Sequence, residues 1–367
     1  MRTEIDKNVT FEYADEIGFA FMPCVLRASG SNLASLKLEI DCGSYSKAYT
    51  VDAINEKVAM DYREFIQGAF DGLISAGVDW TVAYDMDNLS KFFSLDAYAI
   101  DSSGNTIAEI AWNTTYIWGA VNPRETWNGF KRLTWFTNFP FSFGLFVSKS
   151  GTNVLIGYEG APQKLMKVST VGMIDFNSKE LPAGARYSII YDYDGEIKQA
   201  TFDNYFDLTF YLNTGGKQSK LLRIDYDNTE SGIYLRWIDR HGFIRYWLFT
   251  PVDETRAVST DGEFVRNNLL AWSDLYGYVG ANGRRQGYSR EDTITICAPS
   301  VDQDTFDMLQ DLTTSPVVDM YLGGDWKAEK DRWQSVTIKA GSYTKTSACL
   351  QDFACALVLN DTNIQKL

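Results

Sequence analysis

The sequence predicts a mainly β protein made of two β-sandwich-like domains, each with one short helix. Three observations predict it. Aromatic residues make up 14% of the chain, with 21 Tyr and 22 Phe, and these residues suit the pleated, half-buried surface of a strand. Short apolar runs alternate with polar residues at a period of two. Turn residues punctuate those runs along the whole chain. At 367 residues the chain also exceeds the roughly 250–300 residues at which a single core stops growing. Gly160–Pro162 marks the expected seam, dividing the chain into 1–162 and 163–367.

The first clear strand is Leu36–Ile40, where Leu36, Leu38 and Ile40 alternate with Lys37 and Glu39. A turn at Cys42–Ser44 leads into a second strand over Tyr45–Val51. Phe65, Ile66, Phe70 and Leu73 then fall at helical spacing, which predicts a short helix near 61–74 with Asp61 as its N-cap. Ser102–Asn105 is a hairpin turn between strands at Leu95–Ile100 and Ile107–Trp112. From Trp112 to Phe146 the chain is an aromatic band, broken by Pro123 and Pro140 into loops and edge strands.

In the second domain, strands are expected at Tyr187–Tyr191, Phe206–Leu212, Leu221–Tyr226 and Ile233–Ile238. Asp239–Gly242 joins the last of these to Phe243–Phe249, a hairpin over 233–249 that needs a left-handed glycine. Gly277–Gly287 reads as a glycine-rich loop carrying Arg284 and Arg285. A second helix is expected near 302–312, stopped by Pro316. Strands at Val317–Leu322, Trp333–Ile338 and Phe353–Leu359 complete the reading.

Composition narrows the function. An apolar fraction of 45% with 22% charged residues is that of a folded chain. The net charge of −14 repels phosphate backbones and anionic lipid, so no direct nucleic-acid partner is expected. The polar Met1–Lys7 lacks a signal-peptide core, and no run approaches the roughly 20 apolar residues of a membrane span. Folding in a cytoplasm without membrane insertion is the expectation. The odd set Cys24, Cys42, Cys297, Cys349 and Cys355 has no CxxC pair and reads as buried free thiols.

No residue pattern nominates a catalytic, metal or cofactor site, so the expectation is a non-enzymatic protein without cofactor. The single histidine, His241, sits on a hairpin turn with no GxSxG elbow in the chain. Asp192–Glu196 and Asp225–Asp227 lack the spacing of a calcium loop. A glycosidase would need a carboxylate pair across a sugar, but with 48 acidic residues pairs arise by chance. Gly280–Gly287 lacks the phosphate-binding spacing. Two readings of the aromatics stay open. Trp237, Tyr246 and Trp247 of the hairpin, with Arg284 and Arg285, are candidates for an assembly interface. Trp112, Trp118, Trp127 and Trp135 are candidates for stacking on a glycan.

Three stretches resemble tail proteins of Bacteroidetes (gut) phages and prophages. The first runs from Phe19–Leu26 through Leu36–Ile40 to Tyr62–Phe70. The second is the hairpin Gly232–Phe249, and the third is the ending from Trp333 through Leu350 and Leu357–Asn360. The resemblance implies a virion structural protein, a distal-tail, baseplate or adaptor component made in the bacterial cytoplasm. It would form a homo-oligomer, in a ring, and bind other tail proteins. The alternative is a lectin-like glycan-binding protein for host-surface recognition. The resemblance supplies no catalytic residues.

Overall fold

Alternation of apolar and polar residues decides the first layer of this computed structural model. It describes residues 1–15, 17–70, 89–121, 132–146, 152–158, 164–168, 171–175, 187–193, 196–202, 205–213, 217–240, 242–260, 262–264, 272–273, 277–278, 284–285, 287–323 and 333–359. Strands β1 (Arg2–Asp6), β2 (Val9–Tyr13), β4 (Val25–Gly30) and β7 (Lys57–Asp61) form one antiparallel sheet in the order β1-β2-β4-β7. Val9, Phe11, Leu26, Ala28, Val58 and Met60 point from it into the core. A second sheet has the order β3-β9-β8-β5-β6, from β3 (Ile17–Phe19), β5 (Ser35–Cys42), β6 (Tyr45–Asp52), β8 (Ser90–Ile100) and β9 (Thr106–Ile117). Leu36, Leu38, Ile40, Phe93, Leu95, Ile110 and Trp112 supply its buried face. The Tyr13 ring lies 4.9 Å from that of Trp112, so the two faces meet as a sandwich.

Asp101 builds the β8–β9 turn. Its carboxylate accepts from the N–H groups of Ser103 and Asn105, each at 2.8 Å, while Gly104 takes φ +85°. Helix α1 (Arg63–Gly68) is shorter than the expected helix near 61–74, whose last residues lie outside the described ones. Tyr62, not Asp61, occupies the N-cap position. The Asp61 carboxylate instead accepts from the N–H groups of Cys24 and Arg63 at 3.0 and 3.1 Å. It ties the end of β7 to the start of β4, and that use takes it out of the capping role.

The middle of the chain is strand after strand. These are β10 (Arg132–Phe136), β11 (Ser142–Phe146), β12 (Thr152–Tyr158), β13 (Lys164–Val168), β14 (Val171–Asp175), β15 (Tyr187–Tyr193), β16 (Glu196–Phe202), β17 (Tyr205–Asn213) and β18 (Lys217–Asp227). They form sheets ordered β13-β12-β15-β16, β10-β18-β17 and β11-β14. The seam expected at Gly160–Pro162 lies outside the described residues. Strand β10, ahead of it, runs parallel to β18, behind it, with Arg132 opposite Arg223 and Phe136 opposite Asp227.

The C-terminal part holds β19 (Ile233–Ile238), β20 (Ile244–Thr260), β21 (Glu263–Phe264), β22 (Trp272–Ser273), β23 (Gly277–Tyr278), β24 (Arg284–Arg285) and β25 (Tyr288–Asp302). Helix α2 (Gln303–Asp311), β26 (Val318–Tyr321), β27 (Trp333–Ser335), β28 (Thr337–Ile338) and β29 (Leu350–Val358) follow. The main sheet here has the order β27-β26-β19-β20-β25-β29-β28. Its two edge strands are separated in sequence by Val336 alone, so the segment 333–338 borders β26 on one side and β29 on the other. The sheet is rolled upon itself and leaves no long open edge, which limits indiscriminate pairing. Asp302 caps α2 by accepting from Thr305 N–H at 2.8 Å, and Phe306, Met308 and Leu309 bury its apolar stripe. The molecule is mainly β, in several packed sheets with two short helices among the described residues.

All five cysteines are free. Cys24 and Cys355 are buried, and burial pushes each thiol up to about 12. Cys349 is exposed and departs from the expectation of buried thiols, because it precedes β29 in a stretch, 344–350, that lies on the surface.

Candidate functional site

The hairpin of β19 and β20 begins from a turn that glycine makes possible. Gly242 sits at φ +78°, the left-handed region that a Cβ disfavours. Its N–H donates to the Asp239 carbonyl at 2.9 Å. Asp239 then fixes the turn from within, accepting from Phe243 N–H at 2.9 Å and from Arg245 Nε at 2.6 Å. A Cβ on Gly242 would lie 2.5 Å from Ile117 Cγ2, and Ala120 N–H donates to the Arg240 carbonyl at 2.8 Å. The hairpin turn therefore docks on the chain just beyond β9. His241 lies outside the described residues.

Both faces of this hairpin are buried, apart from its margins. Trp237 is 0% and Tyr246 6% exposed, and Trp247 is half-buried. Phe136 meets Trp247 edge-on at 5.4 Å, Tyr234 stacks on Tyr246 at 5.8 Å, and Phe141 lies 5.9 Å from Tyr246. The Tyr234 hydroxyl donates to the Pro140 carbonyl at 2.5 Å. On the same strand, Arg236 is paired with Asp319 at 2.9 Å, and its guanidinium lies 4.1 Å over the Trp333 ring. Trp237 and Tyr246 are thus anchors of this chain's own core, turned away from any neighbouring subunit. The alternation that marks them out reports burial, and burial within a chain reads the same in sequence as burial between chains.

The glycan candidates are placed as plainly. Trp112, Trp118 and Trp135 are 5%, 7% and 1% exposed, so none offers a ring face to a sugar. Trp127 lies outside the described residues. Among the described residues no group of His, Cys, Asp and Glu is placed to hold a metal ion, and no helix is long and apolar enough to cross a membrane.

Arg284 and Arg285 sit where a loop was expected. They form β24, paired with β21 so that Arg285 faces Glu263 and Arg284 faces Phe264. Gly277–Tyr278 is also a strand, opposite Trp272–Ser273. These short pairs are nested inside the connection from β20 to β25, whose register puts Thr260 opposite Tyr288. Three residues further along, Glu263 faces Arg285, so β21–β24 continues the β20–β25 register unchanged. The glycines masked this strand, because they break the period-two pattern that would reveal it.

The feature that sequence reading missed is the ribbon itself. Every residue of β20 from Thr250 to Thr260 is exposed, and on β25 Tyr288, Ser289 and Glu291 are exposed as well. From Glu254 to Phe264 the ribbon spans on the order of 35 Å at about 3.3 Å per residue. One face carries Val258 and Tyr288 with Arg256, Arg290 and Asp292. The other carries Thr255, Ala257, Ser259, Ser289 and Glu291. Arg256 Nε and Arg290 Nε donate to the one Asp292 carboxylate at 3.2 and 2.7 Å. Arg290 first, and Arg256 after it, hold that carboxyl below its usual range. A run such as Thr250–Thr260, charged and polar on both faces, carries no burial period, which is why it gives no strand signal.

No protein-family model matches this chain, and no curated protein matches it. Among solved structures it is similar to one described as giving structural insight into host cell surface retention of a 1.5-MDa bacterial ice-binding adhesin. The identity is 8%, over 95% of this chain and 96% of that one, with a TM-score of 0.16. A TM-score that low does not establish a common fold.

Proposed function

We propose that this chain is a non-enzymatic structural protein of a phage tail, acting by self-assembly and by binding other tail proteins. The observation that carries the assembly reading is the ribbon of Thr250–Thr260 and Tyr288–Asp292, which stands in water on both faces. A two-stranded ribbon is marginally stable by itself, and its Tyr, Arg and aliphatic side chains are those that protein interfaces favour. The tail assignment rests on the resemblance of Phe19–Phe70, Gly232–Phe249 and the carboxyl-terminal stretch to tail proteins of Bacteroidetes phages. On this reading the protein is made in the host cytoplasm and resides in the virion. The hairpin tryptophans serve rigidity, and the ribbon, with Arg284 and Arg285 on it, serves contact. Burial of Trp112, Trp118 and Trp135 removes three of the four rings on which the glycan reading depends.

Negative-stain electron microscopy with mass measurement in solution tests the proposal. Closed rings or ordered multimers are the expected result. A chain that stays monomeric at every concentration and forms no ordered particle overturns it.

A further inference from the structure

Charge is unevenly distributed along this chain. Residues 264–290 contain Arg266, Arg284, Arg285 and Arg290 against the single acid Asp274, a net +3 in a protein whose total is −14. The remaining residues therefore carry −17. The described part of the ribbon follows the same trend: Arg256 and Arg290 share one carboxylate, that of Asp292. Beside them Val258 is 58% and Tyr288 42% exposed. Arginines flanking an exposed valine and tyrosine, on a ribbon with no layer behind it, make a contact surface whose complement is anionic.

We propose that the β20–β25 ribbon, extended by β21 and β24, is an assembly arm that docks on the acidic body of a second copy of this chain. The arm and the body are different surfaces, so the contact is head-to-tail. Such contacts build a ring when the rotation between copies closes, and a filament when it does not. A second copy is the occupant that the charges select, since the body's −17 attracts the distal arm while bodies repel one another. That repulsion leaves the arm as the contact that sets register. The inference rests on the self-assembly reading above and specifies its contact.

Two variants test it. One replaces 261–287 by Asn-Gly, which joins Thr260 to Tyr288 through the tight turn that suits a hairpin. The other is Arg256→Glu/Arg290→Glu. Both are compared with the parent protein by sedimentation and mass photometry at about 50 mM and about 500 mM salt, across which screening shortens from ~14 Å to ~4 Å. Thermal melts accompany each. The expected result is parent assembly that weakens with salt, and variants that keep the parent melt but need at least about tenfold more protein to assemble, about 1.4 kcal/mol. If both variants assemble as the parent does, the arm is not the contact, while self-assembly stands. A parent that remains monomeric overturns both. Should the shortened chain fail to fold, the charge-reversed chain decides alone.

Discussion

Asp311 places a carboxylate at the C-terminal end of α2, where the helix already presents partial negative charge. Burial, and after it the nearby Asp239 carboxylate, raises its pKa from 3.8 to about 7. Arg240 and Arg245 act the other way, but Arg240 Nε stands 3.6 Å off, too far for a hydrogen bond, so burial prevails. The folded carboxyl holds its proton more tightly than the unfolded one. Its contribution is therefore fully present below about pH 4 and is lost as pH rises through about 7, at a cost of up to about 4 kcal/mol. Asp311→Asn should match the parent in stability near pH 4 and exceed it near pH 8, by about 1–3 kcal/mol. Urea titrations at both pH values check this, and equal stability at pH 8 would refute it. Arg236 and Asp319 pose the opposite case, a buried pair that satisfies itself. Asp319→Ala leaves the guanidinium under Trp333 without its anion and should cost about 3–5 kcal/mol. Arg236→Met/Asp319→Leu should recover most of that loss in the same titration.

At the scale of the element, the β19–β20 hairpin joins the chain beyond β9 to the rolled C-terminal sheet through its turn. Gly242→Ala combines a left-handed backbone with a Cβ 2.5 Å from Ile117 Cγ2, and should lower stability by about 1–3 kcal/mol. Trp247→Ala removes the ring that Phe136 meets edge-on. It should cost about 3 kcal/mol, read as an earlier unfolding midpoint with unchanged slope. The hairpin was legible because Asp239–Gly242 is turn chemistry and the flanking runs are apolar. Leu36–Ile40 was legible from its period of two, and α2 from its spacing and cap. Other elements were not. β10 and β18 pair in parallel across a separation of about ninety residues, and no local pattern encodes such a partner. Val336 interrupts the expected strand Trp333–Ile338, because there the chain passes from pairing with β26 to pairing with β29. The candidate interface was legible only in its arginines. The tryptophans and tyrosine chosen with them mark the interior, since sequence reports a demand for burial without saying which surface answers it.

For the whole molecule, the buried side chains form one connected cluster from Val9 to Leu357, and the segment 132–141 is central to it. Trp135 and Phe141 stack at 6.1 Å, and Phe136 and Phe139 lie 6.2 and 4.6 Å from Tyr234. Thr137 N–H donates to the Asp227 carbonyl at 2.9 Å, and its hydroxyl to Asn228 Oδ1 at 2.8 Å. A fragment beginning at residue 163 would lose all of these. Tyr234 and Tyr246 would face solvent on one side, and β18 would lose its parallel neighbour. Four aromatic side chains, each worth about 3–5 kcal/mol when buried, exceed the 5–15 kcal/mol that holds a typical domain folded. Fragment 163–367 should therefore fail to fold, with collapsed amide dispersion in its NMR spectrum, whereas the intact chain should unfold with 132–141 and 233–249 in one transition. Hydrogen exchange on the intact chain separates the alternatives directly. Equal protection at Trp135 and Tyr234, lost together with denaturant, fits one cooperative body. A folded 163–367 fragment, or protection at Tyr234 that outlasts that at Trp135, would instead place a true domain boundary beyond residue 141.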